Sequence, residues 1–224
     1  PDIIINNTTG SGAQTPRAEA IKSLDAKPEM SSLNCGPLVL RGKLKRREPP
    51  LSGRNEDVDL DKLVVPITFA EIEFFAREMK AKGIKPELEV YNAQMFNAVN
   101  MLINLGLLEK PYSFSLIFAD AIGTPPTIQN LVTLVAGLPP GDSVFQAIGV
   151  GPAQVPLNTM AMAMGGNVRV GFEDNVFYKR GELLKSNAQA VERMVRIANE
   201  LDRPVATPAQ AREMLGLSKT PSIY

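Results

Sequence analysis

Residues 165–175, Gly-Gly-Asn-Val-Arg-Val-Gly-Phe-Glu-Asp-Asn, bring a guanidinium, two adjacent carboxylates and an amide into one short stretch. The chain has no histidine and a single cysteine, Cys35. Ser–His and Cys–His nucleophile pairs, HExxH-type zinc sites and a histidine general base are therefore excluded. Acid–base chemistry falls to carboxylates, Arg, Lys and hydroxyls, or to a metal site shared with residues outside this chain. Val168, Val170 and Phe172 have one parity and Arg169, Gly171 and Glu173 the other. Read as a strand, the segment sets Arg169 and Glu173 on one face with Gly171 as a gap between them. Glycine weakens a strand interior and marks a close approach to the backbone, a ligand being one candidate. A structural ion-pair network is the competing reading of the same charges. Asp174 and Asn175 fall at the strand's C-terminal end, where parallel sheets and barrels keep their reactive groups.

The elements that must position this stretch are legible along the chain. Asp2 to Asn7 reads as a strand buried on both faces, because its isoleucines run without alternation. The small hydroxyl-rich loop Thr8-Thr9-Gly10-Ser11-Gly12 follows, and then a short helix from Pro16 to Leu24 with Thr15 as N-cap. Pro28 to Gly36 holds a second strand. Thr68 caps a helix over 69–82 whose Ile72, Phe75, Ala76 and Met79 form an i, i+3, i+4, i+7 stripe, closed by Gly83. Strands are expected over 86–92, 112–118 and 143–148, with Glu87 and Glu89 sharing a face of the first. Helices are expected over 93–105, 127–135, 154–164, 184–201 and 208–215. Gly149-Val150-Gly151 opens the helix at 154, as a tight turn or as an anion site for a coenzyme phosphate. Met160, Met162 and Met164 read as helix packing, and Cys35 as a small buried filler.

Six strand–helix units in strict alternation predict a parallel sheet covered by helices. A closed (β/α)8 TIM barrel needs eight units and about 250 residues. The expectation is one domain over 1–224: an incomplete TIM barrel of six units that lacks the first two, with open edges that invite association. Residues 41–66 interrupt the alternation as a long loop insertion, basic at Lys43, Lys45, Arg46 and Arg47 and acidic at Glu56, Asp57, Asp59 and Asp61. A solvated loop whose two halves offset each other accounts for it better than a nucleic-acid contact. Lys+Arg and Asp+Glu are both 24, so no basic stripe argues for nucleic acid. No apolar run approaches the ~20 residues that span a bilayer. One thiol excludes a disulfide framework and leads to an expectation of the cytoplasm.

The motifs Asn-Val-Arg-Val-Gly-Phe-Glu-Asp-Asn (167–175), Arg180-Gly181, Lys185-Ser186-Asn187 and Val205 to Arg212 resemble the C-terminal half of the β-keto acid cleavage enzymes, whose type member is 3-keto-5-aminohexanoate cleavage enzyme. Asn7 to Gly10, Pro28 to Asn34 and Lys85 to Tyr91 extend the resemblance over the chain except 41–66. It implies a zinc-dependent TIM barrel that transfers carbon between a β-keto acid and acetyl-CoA, giving acetoacetate and a new CoA thioester, in lysine degradation for the type member. It implies Glu173 as a zinc ligand beside a His-x-His pair that this chain lacks. Asp174 is implied as the acid/base carboxylate and Arg169 as its paired guanidinium, since proton removal from carbon leaves an enolate that needs a cation. Glu89 is implied as a further catalytic carboxylate, with Glu87 close by on the same face. Thr8, Gly10, Ser32 and Asn34 match substrate-binding positions. The implied partners are small molecules and further copies of the chain, with neither nucleic acid nor membrane. Two alternatives stand beside this: a truncated or split, non-catalytic barrel fragment that serves as a partner subunit, and a Schiff-base aldolase using Lys85 or Lys185. On its own the chain is expected to bind zinc weakly and to form no acetoacetate.

Overall fold

The computed structural model of the protein describes residues 2–10, 17–46 and 55–221. In chain order the elements are β1 (Asn6–Thr8), α1 (Arg17–Ala20), β2 (Met30–Asn34), β3 (Leu38–Val39), β4 (Lys43–Leu44), β5 (Val58–Asp59), β6 (Val64–Val65), α2 (Phe69–Ala81), β7 (Lys85–Val90), α3 (Phe96–Asn104), β8 (Tyr112–Phe118), α4 (Ile128–Ala136), β9 (Ser143–Gly149), α5 (Gln154–Ala163), β10 (Asn167–Val168), β11 (Phe177–Lys179), β12 (Glu182–Leu183), α6 (Asn187–Glu200) and α7 (Pro208–Leu215). Six strands form one parallel sheet in the order β1-β2-β7-β8-β9-β10. The expected parallel pairing of the first two strands is present, Asn6 opposite Met30 and Thr8 opposite Ser32. The sheet is an open, TIM-barrel-like one with α2, α3, α4 and α5 packed on one face.

Register separates the two faces. Leu33, Leu88, Val90, Phe114, Leu116, Phe118 and Ala147 join the core shared with the helices. The opposite parity carries Asn6, Thr8, Ser32, Asn34, Glu87, Glu89, Ser115 and Gln146, so the inner face is polar where barrels usually pack branched aliphatics. Thr68 and Glu71 close a capping box on α2, and Ile72, Phe75, Ala76 and Met79 are its buried stripe. Gly83 takes the left-handed conformation (φ +68°) that ends it. Thr127 and Ser186 cap α4 and α6 as side-chain acceptors, and Thr207 with Gln210 closes a second capping box on α7.

Three expectations are corrected. The first strand is Asn6–Thr8, and Ile3 and Ile5 are exposed rather than buried on both faces. β1 has a single neighbour in the sheet, so the residues before it meet no second layer. The last strand stops at Val168, and Gly171 to Asp174 is a turn. The long helix begins at Asn187 because Ser186, not a residue near Leu184, supplies the cap. The capping role of Thr15, the start of the helix at Pro16, Ser11, Gly12 and Arg47 lie outside the described residues.

The described residues in and beside 41–66 form two short strand pairs: β3 pairs with β6 and β4 with β5, both antiparallel. They meet the loop after β8 through a Leu40–Ile122 bridge and a hydrogen bond from the Arg41 N–H to the Ala121 carbonyl. Asp57 pairs with Lys45 and accepts the Arg46 N–H, so the basic and acidic halves offset each other as expected.

At the other end of the sheet, α7 is tied beneath the strand starts by Arg212. Its guanidinium donates to both carboxylate oxygens of Glu29 and to the carbonyls of Asp2 and Ser218. Both side chains are buried, at 3% and 5% exposure. Removing one member of such a pair leaves a buried charge without its partner, at a cost of about 3–5 kcal/mol. Glu29→Gln is therefore expected to lower unfolding stability by about 3 kcal/mol in urea titration. Unchanged stability would mean that α7 is held by its apolar contacts alone.

Candidate active site

The inner face carries two carboxylates at successive inward positions of β7, and their surroundings differ. Glu87 accepts from Asn6 Nδ2 at 2.7 Å, Ser115 Oγ at 2.8 Å and Gln146 Nε2. Donors from β1, β8 and β9 thus converge on one side chain, which makes Glu87 a positioning residue. Glu89, nearer the strand ends, receives among the described residues only the Tyr91 hydroxyl, at 3.3 Å. Burial first, and then the charge of Glu87, push Glu89 up to about 7, against the pull of Arg169 and of the Tyr91 hydrogen bond. The sequence left Glu87 and Glu89 close alternatives; their hydrogen bonds separate them. Tyr91 was missed, although it continues the inward parity of Glu87 and Glu89.

Arg169 extends past β10, its N–H still donating to the Ala147 carbonyl of β9. Its guanidinium grips Asp174 with two hydrogen bonds of 3.1 Å, from Nε and Nη2, and reaches Glu173 at 2.9 Å. Desolvation lowers the Arg169 pKa, but the hydrogen bonds and charge of Asp174 together with the charges of Glu173 and Glu89 outweigh it, and the net shift is upward. The two carboxylates lie at opposite extremes: the Asp174 side chain is 8% exposed and that of Glu173 82%. Turn geometry brings Glu173 to Arg169, not a shared strand face. Gly171 faces no open gap either, since a Cβ there meets Asn187 Oδ1 at 3.3 Å, the same oxygen that accepts the Phe172 N–H.

Thr8 and Ser32 share a hydroxyl–hydroxyl hydrogen bond of 2.9 Å, and the Gly10 N–H donates to Thr8 Oγ1 at 2.8 Å. Asn34 lies opposite Glu89 in register, and its buried Oδ1 has no partner. The structure therefore forms two groups, Arg169–Glu173–Asp174 with Glu89 and Tyr91, and Thr8–Gly10–Ser32, with Asn34 between them on β2. The glycine turn 149–151 is not an anion cradle. Its N–H groups go to Asn158 Oδ1, the Phe118 carbonyl and the Asp174 carbonyl, and Gly149 has Gln154 and Ala153 packed against it. Lys85 sits at the N-terminal end of β7 and donates to the Glu109 carbonyl, away from the strand C-termini. Burial holds the Cys35 thiol far above its ordinary range, as suits a filler.

A family model described as beta-keto acid cleavage enzyme matches residues 1–217. The chain belongs to the β-keto acid cleavage enzyme family. It is 35% identical to the 3-keto-5-aminohexanoate cleavage enzyme of Acetoanaerobium sticklandii, over 98% of this chain and 73% of that one. It is 31% identical to the 3,5-dioxohexanoate:acetyl-CoA acetone transferase of Paraburkholderia graminis, over 96% and 72%. Among solved structures, the apo structure of ObcA superposes with a TM-score of 0.69 at 18% identity, covering 96% of this chain. The chain spans 51% of the ObcA chain. That likeness supports the fold.

The zinc implied for the family does not fit the residues present. No group of three His, Cys, Asp or Glu side chains among the described residues could hold a metal ion. Glu173 is one exposed carboxylate already paired with Arg169. A zinc site takes three or four protein ligands, with imidazole or thiolate prominent. Zinc titration of this chain is expected to show weak binding only; tight one-to-one binding would place the metal on a ligand set other than Glu173.

Glu89 also sets a pH dependence. Its folded pKa, about 7, lies above the ordinary glutamate value of 4.5, so between the two the folded state binds the proton more tightly. Stability then falls as pH rises through that window. Glu89→Gln, which imitates the neutral acid, is expected to remove this fall. Urea midpoints at pH 5 and pH 8 check it, and a parallel decline in the variant would assign the effect elsewhere.

Proposed function

We propose that this chain carries the carbon–carbon bond cleavage of its family: acyl transfer between a β-keto acid and acetyl-CoA, giving acetoacetate and a new CoA thioester. The observation that carries the reading is the guanidinium of Arg169 clamped on buried Asp174 beside Glu89. Asp174 removes the proton from carbon, and Arg169 offers the cation that stabilises the enolate oxygen. Glu89 exchanges a proton near neutrality, where general acid–base catalysis is most effective. Thr8, Ser32 and Asn34 bind the β-keto acid, and the Gly10 N–H orients the Thr8 hydroxyl. Relatives named as acetyl-CoA transferases support acetyl-CoA as co-substrate.

Glu173 is this chain's single contribution to a family zinc site, and no step above passes through the metal. The enzyme works in the cytoplasm, for which the support is its single cysteine, and as a homo-oligomer, for which the support is that β1 and β10 each have one sheet neighbour among the described residues. Among the described residues no helix is long and apolar enough to cross a membrane.

The test joins this chain to the histidine-bearing segment of a relative and follows acetoacetate from acetyl-CoA and a panel of β-keto acids. Asp174→Asn is expected to lower kcat by about 10²-fold or more, the usual scale of lost acid–base catalysis. Near-normal turnover by both Asp174→Asn and Arg169→Gln would refute the assignment.

A further inference from the structure

Outside the Arg169 cluster, a cavity of about 610 Å³ opens between the first turn of α5, the loop after Asp174 and the β11–β12 hairpin. That volume is within the range of small-molecule pockets, ~300–1,000 Å³. Its lining divides by chemistry. Pro152, Val155 and Pro156 form an apolar wall, and Phe177 presents a half-exposed ring at 48%. Lys179, Arg180 and Arg193 make the remainder basic.

The wall is organised in advance. Asn175 donates to the Phe177 carbonyl at 2.8 Å and accepts its N–H at 3.0 Å, which fixes the turn. Arg193 donates to the Tyr178 carbonyl and lies over its ring at 4.6 Å from the centroid. Lys179 is paired with Glu182 at 3.0 Å. Arg180 has no ion-pair or hydrogen-bond partner among the described residues, although it lines the cavity. An apolar wall with an aromatic ring suits a heterocyclic base, and an unengaged guanidinium beside it suits a phosphate.

The cavity and the Asp174 site share one segment of chain. Asn175 lines the cavity next to Asp174, and the Gly151 N–H, at the foot of the apolar wall, donates to the Asp174 carbonyl at 2.7 Å. A ligand with its reactive end at Asp174 and a long arm ending in a base and phosphates matches both. We propose that this cavity holds the adenosine-phosphate end of a coenzyme A thioester, with the adenine on Phe177 and a phosphate on Arg180. This rests on the acetyl-CoA reading above and adds the place where the coenzyme's recognition end binds.

Calorimetric titration of the chain with CoA, dephospho-CoA and pantetheine tests it. CoA is expected to bind more tightly than pantetheine. Arg180→Ala should weaken CoA about tenfold, the scale of one charge-assisted hydrogen bond, with pantetheine unchanged. Phe177→Ala should weaken CoA and dephospho-CoA alike, by a smaller factor. Both side chains are exposed, and an unchanged circular dichroism spectrum confirms that the variants fold. CoA binding that survives both substitutions overturns the cavity assignment and leaves the acetyl-CoA reading standing. No CoA binding by the unsubstituted chain overturns both.

Discussion

A carboxylate inside a sheet of parallel strands is tolerable only where donors meet it, because an ion taken out of water loses far more solvation than packing returns. Glu87 is that carboxylate here. Asn6, Ser115 and Gln146 reach it from three strands, and each can do so in one register only. A shift of any strand by one residue would turn its donor to the helix side and leave Glu87 unpaired. The polar inner face thus specifies strand alignment, a task that interlocking aliphatic layers perform in most barrels. One pleat further on, Glu89 has a single long hydrogen bond and feels the charge below it. The poor solvation of Glu89 and the dense hydrogen bonding of Glu87 are two sides of one arrangement, in which one carboxylate is raised towards neutrality and the other is fixed in position.

The second charged group depends on a turn. Arg169 leaves the sheet still paired to β9, and Asp174 comes back to it because Gly171 starts a tight turn. Asn187 accepts the Phe172 N–H, Asn158 donates to the Arg169 carbonyl and Gly151 donates to the Asp174 carbonyl. Side chains from α6 and α5 therefore hold the backbone on which the ion pair is built. The half-buried Arg169 guanidinium thus meets one carboxylate shielded from water, Asp174, and one exposed to it, Glu173. The same turn continues into the wall of the basic and apolar cavity, so the reacting end and the recognition end of an elongated ligand would be held by one short run of backbone.

Helices were the most legible part of the fold. Thr68 with Glu71 and Thr207 with Gln210 are local signals, complete within four residues, and tertiary structure had nothing to override. Strand ends were less legible because edge strands have a neighbour on one side only. β1 loses the isoleucines before it, and β10 ends two residues after it starts. The segment 41–66 looked like a loop because its strand pairs are two residues each, too short for any alternation to register. One of its contacts is with the loop after β8, far along the sequence.

By itself the sequence determined the alternation of strands and helices, the family, and the candidate residues Thr8, Gly10, Ser32, Asn34, Glu89, Arg169, Glu173 and Asp174. The alternation follows from local periodicity and capping chemistry, and the family and the candidate residues from the resemblance that the motifs carry in their order along the chain. Only the tertiary structure decided which of Glu87 and Glu89 is locked, that Gly171 faces Asn187, that the glycines at 149–151 spend their N–H groups on the fold, and that Phe177 and Arg180 line one cavity. Each of these depends on where donors and charges from distant strands arrive. Burial and hydrogen-bond satisfaction are pairwise in space, and no spacing along a chain encodes them.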